Sequence, residues 1–240
     1  MKQNKYDNDQ FFNIYAQMSR STEGLTAAGE WHILKDLLPS FENKSVLDLG
    51  CGYGWHCRYA IEQGASAVIG IDISAKMLKQ ARTLTNSDAI TYLQMPIEDI
   101  DFAKEQFDRV ISSLAFHYIE AFDAVCEKIF DVLTKGGSFV FSVEHPVFTC
   151  RAAQDWHYGE GGERLHWAVD DYHSEGLRQT TFLGEDVVKY HRTVASYLNT
   201  LIGVGFTIKA VQESYPSEDM LEDMKDELRR PMFLLIAVEK

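Results

Sequence analysis

The feature that most constrains the fold is the stretch VLDLGCGYGW at residues 46–55. A short apolar run containing Asp48 passes directly into glycines at every second position, Gly50, Gly52 and Gly54. Glycine permits sharp turns and lets a ligand approach the backbone closely. A glycine turn after a buried strand predicts a nucleotide-like cofactor at the carboxyl ends of a parallel sheet.

The segments around this turn alternate between strand and helix patterns. Five segments have the pattern of strands separated by helices: SVLDL, AVIGID, ITYLQ, FDRVISSL and SFVFSVE. The helix that starts near Phe122 is predicted to end in a glycine cap at residues 135–137. Further helices are expected at residues 11–18, 27–38 and 193–202 and in the acidic run SEDMLEDMKDEL. GFTIKAVQES and MFLLIAV predict two last strands, which could pair antiparallel. This alternation predicts a Rossmann-like, doubly wound α/β sheet.

The 240 residues are predicted to form one domain with four parts. Residues 1–44 would form N-terminal lid helices, and residues 45–144 the cofactor-binding core. Residues 145–190 are aromatic, rich in His and Gly, and lack a clear period. Long irregular connections of this kind are usually lids or binding loops, so we expect a substrate-capping insertion there. Residues 191–240 would complete the sheet.

Charge and cysteine usage limit the partners and the compartment. The 23 basic and 36 acidic residues give a net charge of −13, which argues against nucleic acid as a partner. No apolar run is long enough to span a bilayer, and the N-terminus lacks a signal-peptide pattern. Cys51, Cys57, Cys126 and Cys150 form no metal-type pair. We therefore expect a cytoplasmic protein with reduced thiols, without metal or membrane contact.

Spacing distinguishes two cofactor classes. The dinucleotide fingerprint G-x-G-x-x-G, counted from Gly50, needs a third glycine at position 55, where this chain has Trp55. Asp72 closes the second predicted strand about 20 residues after the turn, where a carboxylate can bind both ribose hydroxyls of an adenosine. The structural alternative for Asp72 is a helix N-cap.

The ordered segments VLDLGCGYG, GIDIS, PIEDI, FDRVISSLAFHYI and LTKGGSFVFSVE resemble the successive motifs of class I S-adenosylmethionine-dependent methyltransferases of the small-molecule type. The resemblance covers residues 45–144. It implies a mostly parallel, seven-stranded sheet with an antiparallel last strand. It also implies S-adenosylmethionine as cofactor and S-adenosylhomocysteine as product.

The resemblance also implies a set of cofactor contacts. They are Asp48, Gly50, Cys51, Gly52, Asp72, Ile73, Ile97, Glu98, Ser113 and Leu114. Among these, Asp72 would hold the ribose, and Ile97 and Glu98 would border the adenine. Many family members have Asp at the position of Pro96, so adenine recognition here would use backbone groups.

The segment FFNIYAQMSRSTEGL resembles a helix that closes over the cofactor, with Tyr15 and Arg20 facing the methionyl part. Arg20 would then pair with the carboxylate of that methionyl part. The alternative is a solvated Arg20 and a core Tyr15.

Candidate catalytic residues follow the fourth and fifth predicted strands. His117 or His145 is predicted to be the general base, with Glu144 as its orienting partner, because His accepts a proton near neutral pH. The alternative for His117 is a structural cap. Four further residues, at the insertion and its end, are predicted to contact the acceptor: Tyr172, Tyr190, His191 and Arg192.

We therefore expect methyl transfer to an oxygen or nitrogen of a small molecule. Protein or RNA acceptors remain alternatives, as do a non-catalytic S-adenosylmethionine-binding module and, argued against by Trp55, a nicotinamide dehydrogenase. SSLAF stands where DNA amino-methyltransferases carry N/D-P-P-Y/F, and no Pro-Cys pair occurs. The sequence defines neither the acceptor nor the oligomeric state.

Overall fold

A computed structural model describes residues 2–240. Its strands are β1 Ser45–Leu49, β2 Ala67–Asp72, β3 Ile90–Gln94, β4 Phe107–Ser113, β5 Leu133–Glu144, β6 Trp156–Tyr158, β7 Arg164–Trp167, β8 Gly176–Phe182, β9 Glu185–His191, β10 Thr207–Glu213 and β11 Phe233–Glu239. Its α-helices are α1 Asp9–Tyr15, α2 Ser19–Thr22, α3 Trp31–Leu37, α4 Trp55–Glu62, α5 Ala75–Leu84, α6 Phe122–Val132, α7 Pro146–Thr149, α8 Val194–Val204 and α9 Leu221–Met224. Short 3₁₀ turns lie at Lys5–Asp7, Gly24–Ala27, Ile97–Asp99, Phe116–Tyr118, Glu218–Met220 and Lys225–Arg229.

Seven strands form one sheet in the order β10-β11-β5-β4-β1-β2-β3. The last strand, β11, runs antiparallel to both of its neighbours, and the pairs from β5 to β3 are parallel. The predicted Rossmann-like sheet with an antiparallel last strand is confirmed. Its carboxyl edge is where the glycine turn lies.

The sheet is buried on both faces, as a central parallel sheet requires. On one face, α6 and α8 pack over Leu47, Phe139 and Phe141. On the other face, α3, α4 and α5 cover alternate residues such as Val46 and Val140. This double burial fixes the strand ends, and therefore the loops that follow them.

Two helices begin at side-chain caps, one of them at the predicted start near residue 193, and one predicted helix end is wrong. Ser74 caps α5 by accepting a hydrogen bond from Met77 N at 3.1 Å, and Thr193 caps α8 in the same way. α6 ends at Val132 without a glycine cap. Leu133 is fully buried and enters β5 at once, and residues 135–137 lie in the irregularity of its pairing with β4.

The terminal segments are more broken than their sequence patterns predicted. The two expected N-terminal helices are three short ones, α1 to α3, joined by a 3₁₀ turn. The acidic run forms only α9, four residues long, between 3₁₀ turns. Like charges three and four residues apart destabilise a longer helix there.

The predicted insertion contains α7 and two antiparallel hairpins, β6–β7 and β8–β9. Its predicted end at residue 190 falls inside β9, which continues to His191.

Among the helices of residues 2–240, none has the length and apolar character needed to cross a membrane.

Candidate active site

A cavity lies at the carboxyl edge of the sheet and has two adjoining parts. The main cavity is lined by the N-terminal segment, the glycine turn, the loops after β2 to β4, the end of β5 and the β8–β9 hairpin. A side pocket lies between α2, the glycine turn and the start of α4. Gly50 and Gly52 border both parts.

The glycine turn can be made only by glycine. Gly50 has φ +75°, and a Cβ there would lie 2.7 Å from Ala115 Cβ. Gly54 has φ +71°, and a Cβ there would lie 2.1 Å from the Tyr92 hydroxyl. The bare backbone therefore approaches Ala115 and Tyr92 more closely than a residue with a side chain could.

Asp72 lies at the centre of the main cavity wall. Its carboxylate accepts hydrogen bonds from Gly52 N at 2.9 Å and Ser74 N at 2.8 Å. Burial raises its pKa to about 6. Ser74 caps α5, so the alternative role of Asp72 as that helix's N-cap is excluded. Each carboxylate oxygen has two lone pairs, so both oxygens can accept a further hydrogen bond from a ligand.

Seven other predicted cofactor contacts lie in three different places. Five of them line the main cavity: Ile73, Ile97, Glu98, Ser113 and Leu114. Cys51 lines the side pocket instead. Asp48 lies beneath the turn, 1% exposed, and lines neither part.

Asp48 is held without a cation. Its Oδ2 accepts from Cys57 Sγ at 3.1 Å, and its Oδ1 is buried without a partner. Burial raises the pKa of Asp48 to about 7. Asp48 therefore supports the turn from below.

The side pocket is a polar compartment beside the turn. Arg20 pairs with Glu30 at 3.4 Å, and Ser113 Oγ donates to the same Glu30 oxygen at 2.9 Å. Two buried atoms of its lining residues, Ser21 Oγ and Trp55 Nε1, have no hydrogen-bond partner among residues 2–240, and neither does Oε2 of the adjacent Glu30. Buried polar groups are normally hydrogen-bonded, so this pocket suits a polar ligand group.

His117 lines the main cavity from the 3₁₀ turn after β4. Its Nδ1 accepts a hydrogen bond from Glu144 N at 3.3 Å, so the neutral ring carries its proton on Nε2. Burial lowers the pKa of His117 to about 4. Within residues 2–240, no hydrogen bond joins Nε2 to another group. His117 therefore presents an N–H donor to the cavity.

Glu144 lines the same end and forms a buried ion pair with the insertion. Its Oε1 lies 2.6 Å from Lys189 Nζ, and its Oε2 accepts from Gln154 Nε2 at 3.0 Å. Lys189 also donates to Gln154 Oε1 at 3.0 Å. Burial by itself would raise the pKa of Glu144, but the neighbouring His117, the Lys189 ammonium and the Gln154 amide hold it below its usual value.

His145 does not reach the cavity. Its Nδ1 accepts from Val147 N at 3.0 Å and so caps α7, and its Nε2 lies 2.9 Å from Glu213 Oε1. Successive side chains of an extended chain point to opposite sides. Because Glu144 points into the cavity, the next residue points away from it.

The four predicted acceptor contacts lie outside the main cavity: Tyr172, Tyr190, His191 and Arg192. They join the insertion to its surroundings instead. Tyr190 donates to Glu120 at 3.3 Å, and His191 Nδ1 lies 2.8 Å from Thr149 Oγ1. Arg192 donates to the carbonyl oxygen of Ile119 at 2.7 Å. These contacts position the β8–β9 hairpin, which in turn carries Lys189.

The N-terminal segment covers the main cavity and is held on both sides. Gln3 bonds to the Val188 backbone, accepting from N at 2.7 Å and donating to O at 3.4 Å. Asp7 accepts from Ser74 Oγ at 2.6 Å and Lys76 N at 3.1 Å. Residues 2–15 thus form a strap across the cavity, with Tyr15 on its lining.

Several lining or supporting residues were missed from sequence: Tyr6, Ser21, Glu30, Tyr118, Gln154 and Lys189. One of them had a usable signal. Val187, Lys189 and His191 alternate along β9 and are all buried, so a lysine on the inward face of a strand indicated a buried partner. Within residues 2–240, no cluster of three His, Cys, Asp or Glu side chains could hold a metal ion.

The sheet, the glycine turn and Asp72 define a class: α/β proteins that bind an adenosine-containing cofactor. A "Methyltransferase domain" family model matches residues 47–141. A crystal structure from Listeria monocytogenes assigned to the S-adenosylmethionine-dependent methyltransferases is 53% identical, with a TM-score of 0.87, covering 90% of this chain and 99% of that one. A methyltransferase of the same kind from Mesorhizobium loti is 41% identical, with a TM-score of 0.85, covering 90% and 100%. This chain belongs to the S-adenosylmethionine-dependent methyltransferases.

Other relatives are more distant, and two of them have names that state different acceptors. An uncharacterised Haemophilus influenzae protein is 34% identical across 98% of this chain and 96% of its own length. A malonyl-[acyl-carrier protein] O-methyltransferase from Enterobacter lignolyticus is 36% identical, but over only 44% of this chain and 41% of its own. A tRNA U34 carboxymethyltransferase from Hahella chejuensis is 30% identical over 46% of this chain and 35% of its own.

Proposed function

We propose that this methyltransferase moves a methyl group from S-adenosylmethionine to an oxygen or nitrogen of a small molecule. The observation that supports a small acceptor is closure of the main cavity. The strap bonds to Val188 on one side and to the start of α5 on the other. A molecule that fits beneath the strap is small.

The residues present fit the cofactor. Asp72 would hold the ribose through its free lone pairs, and Ile97 and Glu98 would border the adenine. The unpartnered atoms of Ser21 and Trp55 and the guanidinium of Arg20 would take the methionyl amino and carboxyl groups. Ser113 and Leu114 would complete the wall between cofactor and acceptor.

When bound, S-adenosylmethionine supplies an electrophilic methyl group: an acceptor lone pair forms the new bond to carbon while the C–S bond breaks and its electron pair stays on sulfur. The chain's own task is to hold the acceptor in line and exclude water. His117 would hold the acceptor in line by donating a hydrogen bond to it from Nε2. The hydrogen bond from Glu144 N to Nδ1 fixes that ring orientation.

This assignment changes the predicted roles of two residues and keeps that of a third. His117 becomes a donor instead of a base, because its only lone pair is engaged. His145 becomes a helix cap, because both of its ring nitrogens are bonded outside the cavity. Glu144 remains the positioning partner of His117, through its backbone N–H.

Two experiments test this function. In thermal unfolding, S-adenosylhomocysteine at a hundredfold excess over its Kd should add about 2.7 kcal/mol of stability, and NADH should add none. Methyl-labelled cofactor with a cell extract, separated by ultrafiltration, should label the small-molecule fraction. Label in protein or RNA only would contradict the small acceptor, and binding without any transfer would indicate a non-catalytic module.

A further inference from the structure

We infer that the acceptor end of the main cavity binds an anionic oxygen, so that the methylated small molecule is a weak acid with an apolar body. The acceptor end comprises Tyr6, His117, Tyr118 and Glu144, with apolar neighbours from the strap and the β8–β9 hairpin. This inference rests on the proposed function and specifies its acceptor as a carboxylate, or an acidic phenol or enol.

The first reason is that the side chains converging there present N–H and O–H donors. His117 presents Nε2–H, because its Nδ1 accepts from Glu144 N. The Tyr118 ring lies beside it, with ring centroids 4.3 Å apart. The two rings are therefore neighbours in the lining of the same end of the cavity.

Tyr6 and Tyr118 both line this end, and each phenol carries one O–H that can donate a hydrogen bond to a ligand. Burial raises the pKa of both phenols, which keeps them protonated and able to donate. An anionic oxygen is the group that such donors bind most strongly.

The second reason is that the fixed charges around this end are already balanced. Glu144 is paired with Lys189 at 2.6 Å. A cationic acceptor would find no unpaired carboxylate at this end of the described cavity. At the rim, Lys2 pairs with Asp99, and Lys5 lies 3.5 Å from Glu185.

The third reason is that the acceptor end has no suitable proton acceptor among its described residues. The Nδ1 lone pair of His117 is engaged. Glu144 is held in its weakly basic, ionised form by Lys189 and Gln154. An alcohol or an ammonium group would have to lose a proton during the reaction, whereas an acceptor that enters ionised has none to lose.

Apolar side chains surround these donors. Phe11, Ile119, Phe182 and Val187 line the same cavity, and the rings of Phe11 and Phe182 lie 5.9 Å apart. They would contact the hydrocarbon part of the acceptor and exclude water. The expected ligand therefore combines one ionised oxygen group with an aliphatic or aromatic body.

Matched probes test this recognition without turnover. Thermal unfolding of the S-adenosylhomocysteine complex would be compared with 3-phenylpropanoate, 3-phenylpropanol and 3-phenylpropylamine, and with hexanoate, hexanol and hexylamine. We expect only the acids to raise the melting temperature further. Stronger stabilisation by an alcohol or amine, or no stabilisation by either acid, would overturn the inference.

Variants identify the residues that bind the acid probes. His117→Leu and Tyr118→Phe should each weaken acid binding about tenfold, as loss of one hydrogen bond to a charged group predicts. The shift caused by S-adenosylhomocysteine should persist in both. His117→Gln, whose amide keeps a donor, should recover part of the affinity, and Tyr158→Phe, an exposed position on β6, is the matched control. Equal acid affinity in all four variants would contradict the assignment.

The two failures are distinguishable. If S-adenosylhomocysteine does not stabilise the protein, the proposed function fails. If it does and neither acid adds to it, only the acceptor assignment fails. In a ¹⁵N spectrum at neutral pH, His117 should show its proton on Nε2. A proton on Nδ1 would overturn the donor role directly.

Discussion

The two ends of the cavity hold buried carboxylates in opposite ways. Glu144, at the acceptor end, lies 2.6 Å from a buried lysine on a hairpin 45 residues further along the chain. Asp48, beneath the glycine turn, has only the Cys57 thiol as a hydrogen-bond partner among residues 2–240. The pKa of Glu144 is held below its usual value, and burial raises that of Asp48 to about 7.

This difference indicates how each end is held together. The acceptor end depends on an ion pair that joins β5 to the β8–β9 hairpin, so loss of one partner leaves a buried charge. The cofactor end, which comprises the glycine turn with Asp48 and Asp72, depends on the backbone geometry of its three glycines. Burial raises the pKa of both carboxylates, so they can be neutralised by a proton. The following predictions test that contrast.

The largest effect is expected at the acceptor end. Lys189→Met should destabilise the protein by about 3–5 kcal/mol, the usual cost of an uncompensated buried charge. The loss should be larger at pH 8 than at pH 5, because an unpaired buried Glu144 has a raised pKa and is protonated at the lower pH. Urea unfolding at the two pH values measures this loss.

The double variant Lys189→Met with Glu144→Gln is the test of cause. It should recover most of the lost stability, since no buried charge remains. Lys79→Met removes an exposed lysine and should change little. If the single variant is as stable as the parent protein, the ion pair does not hold the hairpin.

At the cofactor end, Asp72→Asn should act on binding more than on folding. The amide keeps one acceptor oxygen but loses the charge, which should weaken S-adenosylhomocysteine binding by about 2–3 kcal/mol, or roughly 30–150-fold. Calorimetric titration measures this change, with the exposed Asp88→Asn as control. Unchanged affinity would remove Asp72 from the cofactor site.

The same contrast explains what the sequence could predict. The glycine turn and Asp72 lie within 25 residues of each other, and their roles depend on local backbone geometry after two strands. The alternation of strands and helices was therefore enough to predict where the glycine turn and Asp72 lie. The structure puts Cys51 in the adjoining side pocket and Asp48 below the turn, which spacing could not resolve.

The acceptor end was less predictable because distant segments build it. His117 meets Glu144 across 27 residues, and Gln3 meets Val188 across 185. No periodicity reports such contacts. The predicted base His145 was chosen for its position after β5, but alternation at the strand end turns its side chain away from Glu144's side.

A steric prediction examines the glycine turn itself. Gly50→Ala should destabilise the protein by about 1–3 kcal/mol, because its Cβ would lie 2.7 Å from Ala115 Cβ at a positive φ. Adding Ala115→Gly removes the contact but not the backbone strain, so it should recover only part of the loss. Full recovery in thermal unfolding would mean that φ contributes nothing, and no loss in the single variant would contradict the close approach.

The smallest effect concerns the unpaired Asp48. Its pKa of about 7 in the folded protein exceeds the ordinary aspartate value of 3.8, so the folded state binds this proton more tightly than the unfolded chain. Its contribution is therefore most favourable at low pH and is lost as the pH rises toward 7. Between pH 6 and 8 the loss should be about 1.4 kcal/mol.

Asp48→Asn should remove this part of the pH dependence, because the amide does not titrate. Asp72, whose pKa burial raises to about 6, would still contribute a weaker slope in the same direction. Urea unfolding at pH 6, 7 and 8, with Asp88→Asn as control, separates the two groups. A variant whose stability falls with pH as steeply as that of the parent protein would show that Asp48 is compensated, as Glu144 is, and the contrast between the two ends would not hold.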